Sequence, residues 1–294
     1  MKKPDFNNVF HDRVLGRAAN LLIASVSAAL LKINVRPVSA KDKPIDLNDY
    51  NLVFADEFDG EELNTDLWSV HGGPGLRKGG YWSLDQVSLR DGNLIILTEY
   101  KNDGEFGSGW YTCGIDTHNT FMHKYGYYEC RCILPKGQGL WSAFWLFNSS
   151  LHEANGTAVN GAELDVFESP FYFLRGDKSR CVTSNIHYNG YGLKTRYKNV
   201  VISKLDNNPY ESYNTYGLLW TPEGYTFYVN GYEVGRSAYG GVSRKDEYMI
   251  LSCEVDGAAA VPMYGWSGNI ERNGREGFKA EFIVDYVRVY DKKQ

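Results

Sequence analysis

The sequence predicts an all-β protein, a single antiparallel β-sandwich, and three observations carry that expectation. Apolar and aromatic runs of strand length recur from about Asp46 to the C-terminus, parted by Gly, Asn and Asp. Two of the partings, Asp91-Gly92 and Asn230-Gly231, are dipeptides that tight hairpin turns select, because such turns need positive φ. Aromatic residues make up 15% of the 294-residue chain, while no helical period persists beyond the amino-terminal segment. Bulky aromatic side chains of this kind favour pleated, half-buried surfaces.

Taken in chain order, residues 1–45 read as an amino-terminal extension. Residues 18–31 (AANLLIASVSAALL) carry no charge and follow Lys2, Lys3, Arg13 and Arg17. With Val38-Ser39-Ala40 as a small-residue cleavage site, this is the pattern of a signal peptide and implies an extracellular or cell-surface protein. Asp5, Asp12 and the polar Asn20, Ser25 and Ser27 fit a retained amphipathic helix instead, which implies a cytoplasmic one. The stretch is too short for a transmembrane span. Residues 46–294 then read as one domain. Its strand-like runs are 52–58, 94–100, 125–134, 141–147, 162–168, 184–188, 225–229, 248–253 and 282–290, and runs 225–229 and 232–235 form two arms of one hairpin. No strand–helix alternation, internal repeat or Pro/Ser-rich linker interrupts them.

Composition removes several function classes. The net charge is −5, without the clustered Lys and Arg that phosphate backbones require, so nucleic acid is not an expected partner. Five cysteines make an odd count. Cys130 and Cys132 would share one face of a strand and pair poorly, no Cys/His set has zinc spacing, and buried free thiols are expected. The Gly-rich stretch from Gly72 to Gly80 matches neither a P-loop nor a dinucleotide fingerprint. His152-Glu153 lacks the second His of a zinc-protease helix, and no Gly-x-Ser-x-Gly elbow is present.

One constellation survives, Glu163-Leu164-Asp165-Val166-Phe167-Glu168. Acidic triplets are not rare in a chain with 36 Asp and Glu. This one, however, lies in an apolar strand-like run, where uncompensated carboxylates cost stability. Alternation places Glu163 and Asp165 on one face and turns Glu168 away. A β-bulge between Asp165 and Glu168 restores all of them to that face. Carboxylates gathered on one surface are what acid/base glycosidic chemistry needs, and a solvated edge strand is the plain alternative. Trp141 and Trp145, four apart in a strand, share a face and suit stacking on pyranose rings.

These residues resemble the active-site strand of glycoside hydrolase family 16, in its bulged laminarinase–agarase form. Phe54-Ala55-Asp56-Glu57-Phe58-Asp59-Gly60 is similar to the family's opening strand. Residues 125–131 (YGYYECR) and 139–146 (GLWSAFWL), then His187, residues 217–222 (GLLWTP) and residues 285–290 (DYVRVY), follow in family order. The resemblance implies a concanavalin A-like β-jelly roll with a concave carbohydrate cleft, and retention of anomeric configuration. It implies Glu163 as nucleophile, Glu168 as general acid/base and Asp165 between them. It further implies sugar contacts from Trp141 and Trp145, weaker ones from Trp82, and a polar role for His187 beside the acid/base. Arg131 is read as a sugar-hydroxyl contact, with a salt bridge as its alternative. No catalytic cofactor is implied, but a structural Ca²⁺ is, held by Asp285 and backbone oxygens near Glu57 and Gly92. The expected activity is endo-hydrolysis of β-1,3- or mixed-linkage β-glucan, or a related β-galactan, by a monomer. Transglycosylation on the same substrates and a non-catalytic lectin-like module are the alternatives.

Overall fold

The computed structural model describes residues 35–38, 44–170, 180–257 and 267–294. The apolar segment 18–31 lies outside them. The first strands are β1 (Val35–Pro37), β2 (Tyr50–Asp56), β3 (Ser69–Val70), β4 (Gly75–Arg77), β5 (Gly80–Trp82) and β6 (Val87–Leu89). Next come β7 (Leu94–Gly104), β8 (Gly107–Thr112), β9 (Gly114–Asp116), β10 (Met122–His123), β11 (Gly126–Ile133), β12 (Leu140–Phe147) and β13 (Glu163–Pro170). The chain closes with β14 (Cys181–Tyr188), β15 (Arg196–Lys204), β16 (Asn214–Thr221), β17 (Gly224–Val229), β18 (Tyr232–Ser237), β19 (Glu247–Val255) and β20 (Lys279–Lys292). Helical structure among the described residues is confined to short 3₁₀ turns.

The strands form two sheets, as a sandwich requires. The first runs β1-β15-β14-β13-β12-β19-β9-β3, with β10 on β19. The second runs β18-β17-β16-β11-β20-β7-β8-β5-β4, with β2 on β20 and β6 on β7. This is the jelly-roll sandwich expected from the sequence. Two pairings, β1–β15 and β5–β8, are parallel rather than antiparallel. Both predicted hairpins form: Asn230 and Gly231 join β17 to β18 with φ of 51° and 77°, and Asp91 and Gly92 join β6 to β7 with φ of 53° and 68°.

Alternation decides what each sheet buries. On β12, Leu140, Phe144 and Leu146 enter the core between the sheets, in one cluster with Phe282, Val284 and Trp220. The opposite face of β12 presents Ala143, Trp145 and Phe147, which pack with Leu151, Tyr248 and Ile250 in a second apolar cluster. That cluster lies on the first sheet's outer face. All five cysteines are buried, and none is joined in a disulfide. Burial pushes the Cys113 thiol up to about 12, so it is an inert packing group.

The extension does not end where its composition suggests. Val35, Arg36 and Pro37 pair with Ile202, Ser203 and Lys204 at the open edge of the first sheet. Val38 is buried, and its backbone N–H donates to Lys204 O at 3.1 Å. An edge strand left bare exposes a row of unpaired N–H and C=O groups, and β1 covers part of it. The first sheet thus takes in residues 35–37, upstream of the expected boundary at 46.

Candidate active site

β13 lies near the middle of the first sheet, between β12 and β14. Against β12, Phe167 opposes Phe144 and Asp165 opposes Trp145, which leaves Val166 as an extra residue. The register with β14 slips at the same place, between Asp165 and Glu168. The predicted bulge is therefore present, and its cause is visible. Val166 and Phe167 are consecutive yet both belong to the core, so the strand must gain a residue to satisfy both. Glu163, Asp165 and Glu168 consequently share the outer face of the first sheet.

Each carboxylate has its own partners. Glu168 Oε1 accepts from Trp141 Nε1 at 2.7 Å. Its Oε2 accepts from the Asn185 amide, which is itself fixed by Asn199 Nδ2 donating to Asn185 Oδ1 at 2.8 Å. Glu163 Oε2 accepts from the Tyr191 hydroxyl. His187, directly opposite Glu163 across the sheet, places Nε2 3.3 Å from Asp165 Oδ2 and 3.9 Å from Glu163 Oε1.

Burial and crowding set the protonation states. Burial, then the Asp165 charge, pushes the Glu163 carboxyl up to about 7. The same causes, in the same order, hold Glu168 well above the usual carboxylate range. Burial pulls His187 down, but its bond to Asp165 and the neighbouring acids outweigh this and lift it to about 9. His187 is therefore an imidazolium at neutral pH, closer to the nucleophile position than to Glu168, where the sequence suggested it. Glu163, Asp165 and His187 have metal-like spacing, with ligand atoms within 4.8 Å of one another. Within it His187 Nε2 faces both acids, which makes the cluster an ion-pair network.

The other expected site residues divide. Trp141 reaches Glu168, but Lys78 Nζ lies 3.3 Å from its ring centroid, on a turn that follows β4. Lys78 and Arg77 also share Glu254, with Arg77 Nε 2.7 Å from Glu254 Oε1. Trp145 is on the expected face but only 8% exposed, and its Nε1 donates to Ser252 Oγ at 3.1 Å. It underlies the cleft instead of presenting a stacking surface. Trp82 is 2% exposed and donates to Cys253 O, so it too is packing. Arg131 is not at the cleft at all. Its neighbours Cys130 and Cys132 enter the core, so it lies on the outer face of the second sheet, bound to Asp285 and stacked at 4.1 Å on Tyr213.

The residues expected to hold calcium have partners of their own. Asp285 is the extra residue of a bulge between β11 and β20 and is engaged by Arg131, while Arg288 forks onto Glu57 at 2.7 and 2.8 Å. Gly92 turns at φ 68° beside Asp59. Calcium takes six to eight oxygens, and the one side-chain carboxylate expected to bind it, that of Asp285, is already paired with a guanidinium.

Asn185 and Tyr191 escaped the sequence reading. Asn185 had a signal, since it alternates with His187 and so shares its face of the strand. Tyr191 had a fainter one, the Gly190-Tyr191-Gly192 tip.

A sandwich with an acidic outer face, centred on a bulged strand and flanked by aromatic side chains, is the architecture of the carbohydrate-cleaving β-sandwich enzymes. Residues 50–292 match the family model described as "Beta-porphyranase A-D, GH16 domain", and the chain belongs to glycoside hydrolase family 16. The Endo-1,3-1,4-beta-glycanase ExsH of Rhizobium meliloti is 29% identical over 212 residues, 71% of this chain and 40% of that protein. A Keratan-sulfate endo-1,4-beta-galactosidase of Sphingobacterium multivorum is 27% identical over 259 residues, 82% of this chain and 55% of its own. The chain thus spans about 40% of the length of the first curated relatives it matches. The laminarinase catalytic domain of Thermotoga maritima superposes with a TM-score of 0.67 at 22% identity, covering 84% of this chain and all of that one, a likeness of fold.

Proposed function

We propose that this domain is an endo-acting, retaining β-glycosidase. The observation that carries the reading is the bulge at Val166, which sets Glu163 and Glu168 on one face of one strand with Asp165 between them. Glu163, ionised, attacks the anomeric carbon while Glu168, protonated, gives its proton to the leaving oxygen. The glycosidic bond breaks and a glycosyl ester on Glu163 forms. Glu168, now ionised, takes a proton from water, which attacks the anomeric carbon and frees Glu163. The Asp165 charge raises both outer carboxyls, and the His187 charge opposes it at both. Raising Glu168 keeps its proton available until the leaving oxygen takes it.

The substrate we favour is a β-1,3- or mixed-linkage β-glucan, which the names of relatives such as ExsH support. A β-galactan is the second reading, supported by the family-model description and the keratan-sulfate galactosidase. Polymers of this size do not cross membranes, which supports action outside the cell. No helix among the described residues is long and apolar enough to cross a membrane. The domain is proposed to act as a monomer, since one chain supplies every group named above.

The test is reducing-sugar release from laminarin, lichenan, agarose and porphyran by the wild type and by Glu163→Gln. Release from one of them that vanishes in the variant, with the first product in the β configuration by proton NMR, supports retaining hydrolysis. Binding without release by the wild type identifies a lectin-like module. Enlarged products with an added acceptor sugar identify a transglycosylase.

A further inference from the structure

Tyr191 stands at the tip of the connection between β14 and β15, and its ring owes little to the core, being 56% exposed. The tip is braced without it. Asn189 Oδ1 accepts from Gly156 N at 2.6 Å, Asn189 Nδ2 donates to Lys194 O at 2.6 Å, and Thr195 Oγ1 donates to Gly190 O at 2.8 Å. Gly190 and Gly192 flank Tyr191 with φ of 75° and 106°. A Cβ at Gly192 would meet nothing within 4 Å, so glycine serves the backbone direction there and not space. That direction turns Tyr191 back over the sheet. Its ring meets His152 edge-on at 5.4 Å, and His152 meets Phe147 at 5.8 Å. Phe147 is the residue opposite Glu163 on β12, which closes the circuit.

We propose that Tyr191 is the positioning residue of the nucleophile: its hydroxyl holds Glu163 Oε2, so that Oε1 is the oxygen left to attack the anomeric carbon. The inference rests on the retaining reading above. A carboxylate free to rotate spends little time in attack geometry, and one donor on one oxygen fixes its torsion. Oε1 stays clear, since the His187 nitrogen at 3.9 Å is beyond hydrogen-bond reach. In the glycosyl ester Oε1 carries the sugar and Oε2 is the carbonyl oxygen. When water attacks the anomeric carbon, the bond from that carbon to Oε1 breaks and its electron pair returns to the carboxylate. The negative charge then spreads onto Oε2, where the phenol donates.

Tyr191→Phe and Tyr191→Ala test this on the polysaccharide the wild type cleaves fastest. Charged and titratable groups facing Glu163 are Asp165 and Glu168 on its own strand, His187 on β14, Lys78 after β4, and Glu247 and Tyr248 on β19. All of them stay in both variants. Tyr191→Phe is expected to lower kcat about 10- to 100-fold, with KM changed less than about twofold and Tm unchanged. The acid limb of kcat/KM should move to higher pH, because the phenol's hydrogen bond holds Glu163 down. Wild-type kcat and acid limb in Tyr191→Phe would overturn the proposal, as would a raised KM with an unmoved limb, the mark of a plain substrate contact. A wild type inactive on every polysaccharide would remove the retaining reading and this one together. An active wild type with an indifferent Tyr191→Phe removes this one alone.

Discussion

The indole N–H of Trp141 donates to Glu168 Oε1 at 2.7 Å, so the tryptophan expected to stack on sugar also holds the acid/base. A donor on a carboxylate favours its ionised form and works against the burial that keeps Glu168 protonated. Trp141→Phe removes the donor and keeps an aromatic ring. Glu168 should then titrate higher, and the basic limb of the kcat/KM profile should move up in pH. The rate at the optimum should fall about tenfold as the carboxyl loses its fixed orientation. An unmoved basic limb would show that the bond does not form in solution.

Asp165 acts on both outer carboxyls through its charge. Next to burial it is the main cause that raises Glu163 and Glu168, and it is one of the groups that raise His187. Asp165→Asn therefore predicts a bell-shaped profile shifted as a whole to lower pH. The activity at pH 7 should fall about 10- to 100-fold, because Glu168 would then lose its proton before the leaving oxygen needs it. A pH–rate series on the variant, with Tm as the folding control, decides it. A profile that loses height without moving would refer the defect to geometry instead.

The boundary of the domain is open to the same kind of check. Deleting residues 1–34 keeps β1, and deleting residues 1–40 removes it together with buried Val38. The loss covers the parallel ladder to β15, the Val38 N–H bond to Lys204 O, the Arg36 Nη1 bond to Val234 O at 3.0 Å, and the buried Val38 side chain. The second deletion is expected to be less stable than the first by about 1–3 kcal/mol, read from urea midpoints. Equal midpoints would mean that β1 adds nothing to the edge.

How far the sequence reached depended on the range of the signal. The bulge was legible because Val166 and Phe167 are both apolar while the acids on either side demand one face, a conflict within six residues. The hairpin at Asn230-Gly231 was legible for the same local reason. Alternation also put Trp145 on the correct face, but a period says which way a side chain points and not what covers it. His71 lies edge-on to that ring at 5.4 Å, from elsewhere in the chain. Arg131 was misplaced because alternation within β11 does not say which sheet the strand joins. Asn185 and Tyr191 meet Glu168 and Glu163 across 17 and 28 residues, contacts that exist only once β13 and β14 have paired.

Glu247 is a carboxyl the chemistry does not use, and it should leave a mark on stability. It is fully buried at the start of β19, with Oε1 accepting from Ala162 N at 3.2 Å and Oε2 lacking a partner. Burial pushes it up to about 8 in the folded protein, against an ordinary value of 4.5. Between those two values the unfolded chain has lost this proton while the folded one keeps it. The folded state thus binds more protons, and stability must fall as pH rises through that window. Glu163, also raised, adds to the fall up to about pH 7. Glu247→Gln mimics the protonated carboxyl in shape and has nothing to titrate. The decline in Tm from pH 5 to pH 8 should therefore be shallower in Glu247→Gln than in the wild type, with the two proteins closest near pH 5. Melting curves at half-unit pH steps measure it, and parallel declines in the two proteins would mean that Glu247 is ionised in the fold and compensated by Ser243 and the Ala162 N–H.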